Sequence, residues 1–176
     1  NNAKFILKEG SVNRLSAASD GEEDSAVIKA YDLETMGAGK LYVDSRYISY
    51  ASSVYTNKRG IISIGAMTVN DCSIYLEGLD NCKSAVGIQA TESLTINSGV
   101  IDIKGGYKTE YVKGGFYAGG VFTINAGDIN IDLHQTSYDD AAEALSAAGL
   151  EFTEFNINGG RIIMKIHSVD GYSYGF

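Results

Sequence analysis

Apolar side chains return along this chain in a fixed ten-residue frame. Five stretches align without gaps: LYVDSRYISY from Leu41, MTVNDCSIYL from Met67, LTINSGVIDI from Leu94, FTINAGDINI from Phe122 and FNINGGRIIM from Phe155. They are spaced 26, 27, 28 and 33 residues apart. A weaker copy, FILKEGSVNR, begins at Phe5. The first, third, eighth and tenth positions are apolar and point inward, as in Leu94, Ile96, Ile101 and Ile103. The copy at Phe5 places Phe5, Leu7, Val12 and Arg14 there, and Arg14 alone breaks the rule. Alternation over two short runs is the periodicity of strands, not of helices. Thr68, Thr95 and Thr123 fall between inward positions and so face outward.

Asn70, Asn97, Asn125 and Asn158 separate the two strands, and Gly10, Gly99, Gly127 and Gly160 stand two places after the fourth position of their copies. Both residue types tolerate the bent backbone of a corner, and stacked Asn amides can bond up and down a ladder. A third strand precedes the decapeptide, centred on Ile28, Ile61, Ile88 and Phe116, with Gly60, Gly87 and Gly115 in register. A period of this length signals an array. The pattern predicts an all-β fold: one right-handed parallel β-helix over 1–176, about six rungs of three strands each.

Composition narrows the classes. The net charge of −8 argues against nucleic acid, whose phosphates call for clustered Lys and Arg. No stretch approaches the roughly 18 apolar residues of a membrane span. Zero proline and 21 glycines suit ladders of strands. Cys72 and Cys82 lie at neighbouring corners of one rung, where a disulfide and two buried thiols are both open readings.

Insertions interrupt the coil. SYDDAAEALSAAG has helix-start residues at Ser137 and Asp139 and a stop at Gly149, which predicts a short outer helix near 138–148. Two acidic groups, Asp20, Glu22 and Asp24 with Glu23, and Asp139, Asp140 and Glu143, could hold calcium through hard oxygen ligands. Neither has a recognised ligand spacing, and a solvated loop or a capped helix start explains them as well. No other cofactor is expected.

The unit SAVGIQATESLTINSGVIDIKG resembles the repeat of the clostridial carbohydrate-binding parallel β-helix family, a polysaccharide-lyase-like solenoid with a recurring DGI and LTINGG pattern. The resemblance runs from about Ser25 onward and is clearest at 84–103, 122–131 and 155–164. It implies a β-helix and carbohydrate binding, with calcium and acidic sugars as associated ligands. Ala85 and Val86 stand where the family usually has an acidic pair before the glycine, and only Asp170 with Gly171 keeps part of it.

Enzymes of this architecture need paired carboxylates, or calcium with a basic residue, on one outer face. Asp102 and Asn130 share an outward column, with Tyr75 and Ser49 beyond, which supplies one carboxylate. His134 and His167 occupy equivalent places and could stack as a surface pair. A non-enzymatic role is therefore expected. Tyr42, Tyr47, Tyr107, Tyr111 and Tyr117 are candidates for stacking on sugar faces, with subunit contacts as the competing explanation.

The chain opens at a decapeptide and closes on DGYSYGF, a leading strand, so that joining Phe176 to Asn1 would make one nearly regular rung. Solenoid ends normally need polar caps. The pattern predicts head-to-tail self-association through Phe5, Leu7, Val12 and Arg14 at one end and Tyr172, Tyr174 and Phe176 at the other. The expectation is a bacterial extracellular or cell-surface structural protein built by stacking, with a polysaccharide-binding module as the alternative.

Overall fold

A computed structural model describes residues 1–17, 24–46, 48, 57–80, 82, 84–106, 111–135 and 153–168. Among the described residues, sixteen strands form six rungs. The first rung holds β1 (Ala3–Ile6) and β2 (Val12–Ser16). The next three hold β3 (Asp24–Ala30), β4 (Leu33–Met36) and β5 (Lys40–Asp44); β6 (Asn57–Ser63), β7 (Met67–Asn70) and β8 (Ser73–Glu77); and β9 (Ser84–Ala90), β10 (Leu94–Ile96) and β11 (Val100–Gly105). The fifth has β12 (Tyr111–Ala118), β13 (Val121–Ile124) and β14 (Asp128–Gln135), and the sixth β15 (Glu154–Ile157) and β16 (Arg161–Ser168). Like strands pair in parallel, giving a first sheet β1-β4-β7-β10-β13-β15, a second β2-β5-β8-β11-β14-β16 and a third β3-β6-β9-β12. The chain is a parallel β-helix. No helix occurs among the described residues, and the segment 138–148 lies outside them.

The last four decapeptides pair as expected, Met67 with Leu94, Leu94 with Phe122 and Phe122 with Phe155. The third strands align Ile28, Ile61, Ile88 and Phe116. In the first two copies the frame is different. Leu33, not Leu41, pairs with Met67, while Leu41 pairs with Ile74 in the second sheet. Ala3 pairs with Leu33, which moves Phe5 to the third position, opposite Thr35. Val12 and Arg14 consequently face outward, and Asn13 and Leu15 take the inward places opposite Leu41 and Val43. In the second rung two features cause the shift: a corner longer by one residue, Gly37-Ala38-Gly39, and a buried polar residue, Thr35, at an inward position.

Inside the coil, Leu94, Ile96, Ile101, Ile103 and their rung equivalents form one continuous core. Phe122 packs against Phe116 and Phe155, with ring centroids 5.5 and 5.1 Å away. Cys72 and Cys82 are buried free thiols, not a disulfide. The Cys72 thiol lies 3.2 Å from Thr35 Oγ1, and burial pushes its pKa up. The corner column forms an amide ladder: Asn97 donates to Asn70 at 2.8 Å, Asn125 to Asn97 at 2.7 Å and Asn158 to Asn125 at 2.7 Å. At its lower end Asn70 donates to Glu34, which pairs with Lys4.

Candidate functional site

The second sheet presents its outward side chains in straight columns because its strands are parallel and in register. One column runs Arg14, Tyr42, Tyr75, Asp102, Asn130 and Ile163. Two residues further along the strands come Lys104, Asp132 and Lys165, and beyond them His134 opposite His167. The inward partners of these positions are the core isoleucines, so the coil itself fixes the spacing of the outer face.

Tyr42 and Tyr75 stack with centroids 4.8 Å apart and planes inclined by 16°. The Arg14 guanidinium lies 4.2 Å from the other face of Tyr42. Both faces of Tyr42 are therefore occupied, and the ring serves as a buttress. The opposite face of Tyr75 turns toward Asp102 on the neighbouring strand. A hollow of about 130 Å³ lies there, lined by Tyr42, Tyr75, Leu76, Glu77, Asp102 and Lys104. It adjoins a second of about 310 Å³ that shares Asp102 and Lys104 and continues to Asn130, Asp132 and Lys165. Together they make a shallow groove across five strands, β5 to β16. At about 4.8 Å per strand the groove extends roughly 19 Å along the coil axis.

Charge in the groove is balanced. Lys104 Nζ lies 3.1 Å from Asp102 Oδ2, and His134 Nε2 lies 3.0 Å from Asp132 Oδ1. At the Tyr42 end, Arg46 binds Asp44 at 2.6 Å and Glu77 at 3.5 Å. The Arg46 hydrogen bond holds the Asp44 carboxyl below its ordinary range, with burial opposing. A hollow of about 350 Å³ on the first sheet, near Lys4 and Glu34, has no aromatic wall.

Of the tyrosines proposed from sequence, Tyr42 is in the groove but fully stacked, and Tyr117 lies on the third sheet opposite Gln89. Tyr111 begins β12, its side chain outside the described residues, as are Tyr47 and Tyr107. Tyr75 takes the place foreseen for Tyr42, and its signal in the sequence was its position one rung from Asp102. Asp132 supplies a second carboxylate that the sequence reading missed; it follows Asn130 by two residues on the same face. Tyr42, not Ser49, continues the Asp102 column, as the corrected frame requires. Among the calcium candidates, the Asp24 side chain and all of Asp20, Glu22, Asp139, Asp140 and Glu143 lie outside the described residues. The described groups whose metal-binding atoms converge are Asp132, His134 and His167, all within 4.8 Å of one another. At the amino-terminal end Phe5 packs on the core and Leu7 is buried, while Val12 is 58% exposed on the outer face. Tyr172, Tyr174 and Phe176 lie outside the described residues.

A family model described as carbohydrate-binding domain-containing protein matches residues 1–171. The chain belongs to that family. No curated protein and no solved structure matches it significantly. The family match covers all of the described rungs, the Tyr75 groove among them.

Proposed function

We propose that the outward groove of the second sheet binds a neutral polysaccharide chain lying along the coil axis. The observation that carries this reading is the hollow that Tyr75 lines together with Asp102 and Lys104. An aromatic face accepts the C–H side of a sugar ring, while carboxylates and ammonium groups next to it bond the ring hydroxyls. The family match supports carbohydrate as the ligand class. Neutral glycans are favoured because Asp102 and Asp132 offset Lys104 and Lys165, and because the whole chain carries a net charge of −8. Affinity electrophoresis against β-glucan, xylan, mannan and polygalacturonate tests this. Retardation by a neutral polymer is expected; retardation by polygalacturonate alone, or by none, overturns the reading.

The groove holds its chain without cleaving it in this proposal. Two carboxylates share one groove, which favours a hydrolase as the second reading. A hydrolase, however, needs one of the pair kept as the protonated acid in apolar surroundings. Here each lies against a basic side chain. Release of reducing ends from a retained polymer, abolished by Asp132→Asn, is the outcome that would establish the hydrolase instead.

We also infer an extracellular or cell-surface setting in which copies stack end to end. The specific observation is that β15 and β16 end their sheets among the described residues and that the inward-facing Ile157 is 51% exposed there. Sedimentation of untagged protein over a wide concentration range tests it, and a monomer throughout sinks it.

A further inference from the structure

The repeat places two imidazoles opposite each other at the edge of the groove. His134 and His167 pair across β14 and β16 on the outward face. Their rings are 4.3 Å apart at the centroids and within 5° of parallel. Asp132 precedes His134 by two residues and so shares its face. Its Oδ1 is closed to solvent and accepts no hydrogen bond, although His134 Nε2 is only 3.0 Å away. A separation of 3.0 Å is that of an ion pair, and equally that of two ligands on one ion. Ligands about 2.1 Å from a metal span about 3.0 to 3.4 Å at angles from square to tetrahedral.

We propose that Asp132, His134 and His167 bind a divalent transition-metal ion of the zinc type. Imidazole nitrogens with one carboxylate suit zinc, nickel and copper, whereas calcium takes oxygen. The three ligand atoms lie within 4.8 Å of one another, up to about 1.4 Å wider than the longest such edge. His167 is exposed, so a rotation of its ring closes the triangle without disturbing the core. Three protein ligands leave the fourth position of a tetrahedral ion to water. Lys104 and Lys165 flank Asp132 in the sheet register, and their ammonium groups are the neighbouring cations with which the ion competes in that column.

The test uses the untagged full chain and Zn²⁺ alone in isothermal titration, with Co²⁺ as an absorbing probe. One ion per chain is expected, with the intense visible Co²⁺ bands of a four-coordinate site. His134→Ala and His167→Gln should each weaken binding by at least the ~10–100-fold typical of losing even a supporting partner of a ligand. Excess Ca²⁺ should not displace Zn²⁺, which separates this site from the acidic insertions. Circular dichroism of each variant reports whether the coil is intact, and the Co²⁺ spectrum of the unaltered chain needs no variant at all. Absent stoichiometric Zn²⁺ binding, or binding unchanged in a folded double variant, overturns the proposal.

Discussion

Asn125 donates its side-chain amide to Asn97 Oδ1 at 2.7 Å, and Asn97 passes the same bond on to Asn70. Asn70, Asn97 and Asn125 each donate to one rung and accept from the next. Replacing Asn97 by Ala therefore strands one donor and one acceptor. The expected loss is about 0.5–1.5 kcal/mol of unfolding free energy, the usual net worth of a hydrogen bond, because Asn125 is exposed and water reaches its stranded donor. Urea unfolding measures it. Because rungs contact only their neighbours, the middle of the coil should lose more than its end, so Asn158→Ala should be milder.

Gly127 tests the corner in a different way. Its φ is +112°, and a Cβ there would lie 2.8 Å from the Gly99 carbonyl oxygen. That oxygen accepts the Asp128 N–H at 2.9 Å and cannot easily give way. Gly127→Ala should cost about 1–3 kcal/mol. Gly10, with φ +72° and open space around it, should cost less when replaced. Equal effects at the two positions would show that backbone conformation alone matters.

How far these positions could be read in advance depended on the rung. From Met67 onward, apolar residues at first and third positions and a constant corner length made the register visible. Rung two hid it: Thr35 fills an inward place with a polar side chain, and the longer Gly37-Ala38-Gly39 corner lets Leu41 and Val43 imitate the start of a unit. The same error misassigned Val12 and Arg14. Tyr75 and Asp102 were aligned correctly because they lie in the regular part. That Tyr42 is covered on both faces depended on the true register of rungs one and two, and on Arg14 reaching over it, which no periodicity encodes.

Acid should release one element of the groove rim. The hydrogen bond from Arg46 holds the Asp44 carboxyl below its ordinary range. A carboxyl with a depressed folded pKa stabilises fully above its unfolded value, and that contribution disappears as pH falls through the folded value. Stability should therefore decline below about pH 4 through this group. Arg46 is largely exposed, so the effect is small. Asp44→Asn should flatten that part of the acid limb in thermal melts recorded from pH 6 to pH 2.

The central claim is that Tyr75 offers its open face to a sugar. Tyr75→Ala also removes the stack on Tyr42, a loss of about 0.5–1.5 kcal/mol, so the variant should still fold. Tyr117→Ala, on the third sheet, is the control. The decisive measurement is isothermal titration of both variants and the unaltered chain with a soluble oligosaccharide of the retained polymer. The account predicts about fivefold to tenfold weaker binding for folded Tyr75→Ala, equivalent to ~1–1.4 kcal/mol, and none of that loss for Tyr117→Ala. Unchanged affinity in Tyr75→Ala, or a loss confined to Tyr117→Ala, contradicts it.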